Sequence, residues 1–106
     1  MNQENCLKLK VSVIALNDIV NSRADRSVNV RNALGSVGLS TINEMFQATE
    51  KFLNDNNEAP FIKAVEKFTN FLDKNPAKKE SFFDCLTARG RDTARRITSI
   101  TETLVS

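Results

Sequence analysis

Histidine, tryptophan and tyrosine do not occur in this chain of 106 residues, and it holds only three glycines, two prolines and two cysteines. The missing histidine removes the usual general base near neutral pH and the commonest metal ligand. Serine or cysteine nucleophiles would lack their ordinary activating partner. A di-iron helical bundle in its usual form needs a Glu-x-x-His pair, so that chemistry is excluded as well. Three glycines and two prolines are too few for an all-β chain with many tight turns. Cys6 and Cys85 are too few and too distant in sequence for a disulfide framework or a zinc site.

Long apolar runs are also lacking. The longest, Val13 to Leu16, is four residues, far below the roughly 18 that suggest a membrane span. The opening MNQENCLKLK does not have the basic-then-apolar layout of a signal peptide. Asn2 stands where myristoylation needs glycine, and the final TLVS is no prenylation signal. These features lead to the expectation of a soluble cytoplasmic protein in a reducing compartment. Net charge is only +2, too weak a field to draw the whole molecule to nucleic acid. The charge is uneven, because residues 42–75 carry −2 and residues 76–106 carry +2.

What is present is helical periodicity. Residues 4–24 give two conflicting signals. Leu7, Leu9, Val11 and Val13 alternate with polar residues as in a strand, while Cys6, Leu9, Val13, Leu16 and Val20 make a helical stripe. Helix is preferred, since no other segment offers a strand to satisfy a lone strand's backbone. That choice leaves Leu7, Val11 and Ile14 as a second apolar patch, suited to a central position or to a partner.

Residues 27–55 keep one stripe: Val30, Leu34, Val37, Thr41, Met45, Ala48 and Phe52. Gly35 and Gly38 interrupt it, each costing about 1 kcal/mol relative to alanine. The segment is one kinked helix or two with a break near Gly38, and the glycines favour two. Thr41 and Glu44 have the spacing of a capping box. A third helix opens with Pro60 in its first turn. It buries Phe61, Ile62, Val65, Phe68 and Leu72, puts Phe71 at an edge, and stops at Asn75-Pro76. From Ala77 the chain reads as one long last helix. Its stripe is Phe83, Leu86, Gly90, Thr93, Ile97, Ile100 and Leu104, continuous through Gly90.

Basic residues flank that stripe. On a helical wheel Lys78, Arg89 and Arg96 line one side, with Cys85 among them, and Arg91 and Arg95 line the other. Arg89 and Arg96, seven apart, sit about 10 Å apart along the axis. Glu80, Asp84 and Asp92 dilute the positive charge, and no tryptophan or tyrosine is available for base stacking. Arg89 at i+4 from Cys85 would favour a thiolate there, although a partly buried inert cysteine is the plainer reading. Cys6 reads as core. The remaining carboxylates are scattered over polar faces, and Gly35-x-x-Gly38 falls short of a nucleotide-binding fingerprint.

The expected fold is all-α: a compact antiparallel bundle of four or five helices, one domain over residues 1–106. The expected function is a non-catalytic protein–protein interaction module: a small adaptor, inhibitor or chaperone-like subunit. It would use Leu7, Val11 and Ile14 with Arg89 and Arg96, and its partner would be another protein or a second copy of itself. The alternative is a nucleic-acid-binding helical protein using Lys78, Arg89, Arg91, Arg95 and Arg96. Neither expectation involves a cofactor, a metal or a membrane.

Overall fold

The computed structural model describes residues 3–105. Among them the chain forms five helices and no strand: α1 (Gln3–Asn21), α2 (Ala24–Asp55), α3 (Glu58–Lys74), α4 (Pro76–Asp84) and α5 (Ala88–Val105). The all-α expectation holds, and the ambiguous first segment is helical. Its inward stripe of Cys6, Leu9, Val13, Leu16 and Val20 is buried throughout. The carbonyl of Ile19, near the end of α1, accepts bonds from Ser22 Oγ at 2.9 Å and Arg26 Nη1 at 2.8 Å. These two donors satisfy a helix end that would otherwise need water.

The chain turns through Ser22–Arg23 into α2, which is broken at Gly35 and not at Gly38 as the sequence suggests. Gly35 has φ 73° and ψ −178°, a conformation essentially reserved for glycine. The break resets the helical phase. Val30 and Leu34 are buried before it; Gly38, Thr41, Ile42, Met45, Phe46 and Thr49 are buried after it. Val37, expected in the stripe, is therefore 64% exposed. Gly38 lies in regular helix under the ring of Phe71. A Cβ there would fall 2.7 Å from two ring atoms and 2.8 Å from Leu34 Cβ. Thr41 caps nothing, since its hydroxyl donates to Val37 O at 2.8 Å within the helix, and Glu44 instead pairs with Lys67 of α3 at 2.9 Å.

Asn56, at φ 55°, ends α2 in the left-handed region and donates its N–H to Phe52 O at 2.9 Å. α3 follows the sequence closely: Phe61, Ile62, Val65, Phe68 and Leu72 are all buried, and Phe71 is half-buried at the edge. The last segment does not. It is two helices, with a turn at residues 85–87. Thr87 is the reason, because its Oγ1 accepts the Gly90 N–H at 3.1 Å and caps the start of α5. Leu86 drops into the core from within the turn, so the apolar spacing runs on across a helix that has ended.

One core cluster draws on all five helices. Phe68 and Phe82 meet edge to face at 5.8 Å, and Phe52 tilts against Phe61 at 5.1 Å. Six hydroxyl side chains are buried: Ser12, Thr41, Thr49, Thr69, Thr93 and Thr101. Each donates to a backbone carbonyl three or four residues earlier, at 2.7–3.0 Å. Their burial therefore leaves no polar group unpaired. The radius of gyration, 12.8 Å, matches the roughly 13 Å of a globular chain of this length.

α1 and α5 lie side by side and antiparallel. A Cβ on Gly90, near the start of α5, would fall 3.2 Å from Cγ2 of Ile19 near the end of α1. At the other end Ile100 lines one groove with Leu7 and Val11. That pairing creates the surface described next.

Candidate functional site

The outer ridge of α1 is apolar where a solvent-facing helix is ordinarily polar. Leu7 and Val11, one turn apart, are 55% and 56% exposed. Beside them runs an open groove of about 640 Å³ between α1 and α5, lined by Asn5, Leu7, Lys8, Val11, Ser12, Arg96 and Ile100. Leu7 and Val11 from the expected apolar patch and Arg96 from the expected basic flank thus line one groove, while Ile14 and Arg89 do not.

The charges around the groove differ in how they are satisfied. Lys8 pairs with Glu4 at 3.3 Å across one turn of α1. The guanidinium of Arg96 makes no ion pair or hydrogen bond among the described residues, and the same is true of the Arg89 guanidinium one flank-repeat earlier, whose residue is bonded only through its backbone. The other basic residues are engaged. Arg91 donates Nη1 to Leu86 O at 3.0 Å, bracing the turn between α4 and α5. Arg95 lies 3.7 Å from Asp92 and 6.0 Å from the Phe83 ring centre. Lys78 is on α4, where its ammonium sits 5.8 Å from the centre of the Phe71 ring. The break at Thr87 therefore takes Lys78 off the arginine flank on which the sequence had aligned it.

Ile14 is half-buried and does not join the groove. It faces the other side of the ridge, into a hollow of about 200 Å³ whose lining includes Phe46, Thr49, Glu50 and Leu53. Leu53 is itself 53% exposed, an apolar surface residue the sequence did not single out. Ile100, read from the sequence as part of the α5 stripe, is half-buried against the core and also lines the groove, a second role the spacing did not reveal.

Neither thiol has the character of a reactive one. Burial pushes the Cys6 thiol above its ordinary value, the Glu58 carboxylate adds to this, and Lys10 opposes it. Burial likewise raises the Cys85 thiol, with Asp84 contributing. The proposed help from Arg89 is absent, since the helix ends between the two residues and Cys85 Sγ instead approaches Asn29 O at 3.5 Å. Among the described residues no three Cys, Asp or Glu side chains come together as a metal site, and no helix is long and apolar enough to cross a membrane. No protein-family model, curated protein or solved structure matches the chain.

Proposed function

We propose that the chain is a small non-catalytic interaction module that binds another protein through the outer ridge of α1 and the adjoining flank of α5. The observation that carries this reading is that exposed Leu7 and Val11 line one groove with Ile100 and with Arg96, whose guanidinium is unpaired among the described residues. Leu7 and Val11 lie one turn apart and are both more than half exposed, and adjoining exposed apolar side chains of this kind favour an association surface over an ordinary solvent face. Arginine beside apolar residues is the combination enriched at protein interfaces. The same composition would suit a small adaptor, inhibitor or chaperone-like subunit.

Nucleic acid is the competing reading. It is weakened by the engagement of Arg91, Arg95 and Lys78, which leaves Arg89 and Arg96 as a pair rather than a track. Nuclease-treated lysate from the native host, passed over wild-type chain and the Val11→Lys variant, separates the two. A protein retained by wild type and lost with Val11→Lys, while the helical circular dichroism of the variant is unchanged, supports the proposal. Retention that disappears on nuclease treatment and on joint replacement of Arg89 and Arg96 by alanine supports nucleic acid instead. Such binding would also fall steeply with salt.

A further inference from the structure

We infer that the groove between α1 and α5 receives an amphipathic helix of a partner protein, with that helix's apolar side chains on Leu7, Val11 and Ile100 and one of its carboxylates on Arg96. This rests on the interaction reading above and adds the chemistry of the occupant.

The form of the occupant follows from the walls. Both are helices, and the described residues contain no strand, so there is no sheet edge to which an extended peptide could add. Leu7 and Val11 stand one turn apart on α1, as do Arg96 and Ile100 on α5. One turn is about 5.4 Å, the spacing at which a third helix presents its own i and i+4 side chains. A groove between two parallel ridges is the ordinary seat of such a helix.

The charge of the occupant follows from the rim. Lys8 has Glu4 as a partner across one turn, so among the described residues the cation lining the groove without an ion pair is the Arg96 guanidinium. Arg89 extends the same sign along the α5 flank and is also unpaired among the described residues. A planar guanidinium beside an apolar surface is matched by a carboxylate, which it can grip through two parallel hydrogen bonds. A second copy would offer the groove the same ridge and the same cations, Arg89 and Arg96, and its nearby Glu4 already has Lys8 as a partner at 3.3 Å. The partner is therefore an acidic helix of a different protein.

A phage-displayed library of helix-forming peptides, selected against the full chain, tests this directly. Enriched peptides should carry apolar residues at i and i+4 together with Asp or Glu. A synthetic copy of the best peptide should bind on the order of tenfold more weakly to the Arg96→Ala variant, and should lose binding to Val11→Lys. Selection against the Arg96→Glu variant should exchange the acidic residue for Lys or Arg. Circular dichroism of all three variants should match wild type, because the substituted positions are on the surface. Enrichment of basic or uncharged peptides would overturn the inference, as would indifference of binding to Arg96→Ala or enrichment of nothing. If in those cases Val11→Lys still abolishes capture of a protein from lysate, the interaction reading survives and only the acidic-helix occupant is lost. Concentration-dependent dimerisation abolished by Val11→Lys, with no peptide enriched, would assign the groove to a second copy and reject the inference.

Discussion

Replacing Gly38 by alanine should destabilise the protein, against the usual effect of that change in a helix. Gly38 has regular helical backbone, so the intrinsic preference for alanine would add about 1 kcal/mol of stability. The new Cβ, however, would stand 2.7 Å from Phe71 Cε1 and Cζ and 2.8 Å from Leu34 Cβ. The ring can swing aside, because Phe71 is only half-buried. Leu34 Cβ is fixed to the backbone of the turn just before the Gly35 break and cannot. Overpacking of this kind costs about 1–3 kcal/mol, so the net result should be a loss of up to about 2 kcal/mol. In a domain of this size each kcal/mol shifts the melting temperature by about 4–8 °C. Urea and thermal melts followed by circular dichroism would measure it. Repeating the substitution in a Phe71→Ala background should shrink the loss without abolishing it, since the Leu34 contact remains. A Gly38→Ala protein that melts higher than wild type would show that Phe71 and Leu34 do not close over this glycine.

Ile97→Ala should cost about 2–5 kcal/mol in a urea melt, since Ile97 is buried in the main core; a cost below about 1 kcal/mol would contradict its placement there. Thr87→Ala should lose about 0.5–2 kcal/mol by removing the cap on the Gly90 N–H, and amide exchange should quicken at the start of α5. Alkylation at about pH 8 followed by mass spectrometry should find both thiols slow in the folded protein and quick in urea, because both are shifted upward. The linked stability is fully present below the ordinary thiol value and is lost as pH rises through the raised folded values, so melts should weaken on the alkaline side.

The parts of the fold that were legible are those where the local signals agree. In α3 the proline, the apolar spacing and the Asn75-Pro76 stop agree, and the buried face is the one read from the sequence. The strand-like alternation of Leu7 to Val13 was a superposition. Leu9 and Val13 belong to the core face of α1, and Leu7 and Val11 to its outer ridge. Two features were hidden because tertiary packing imitates helical spacing. Leu86 enters the core from a turn and so bridges α4 and α5 in the pattern. Thr87 caps without the glutamate three residues on that would have marked it. The position of the break in α2 depends on which glycine takes a positive φ, and spacing carries no information about that. The candidate site was legible in pieces. Leu7, Val11 and Arg96 could be named from their faces, but their meeting depends on α1 lying antiparallel to α5. Ile14 departs because it stands about 60° around the helix from Val11, enough to turn it toward α2.

The central claim is that the ridge and groove at Val11 are where another protein binds. Val28, on α2, provides the matched control, because it is 52% exposed against 56% for Val11 and lies outside the groove. A photo-crosslinking amino acid placed at position 11 or at position 28 in the full chain, irradiated in nuclease-treated host lysate, compares the two directly. A discrete protein adduct is expected from position 11 and none from position 28. An adduct from position 28 alone, or none from position 11, would contradict it.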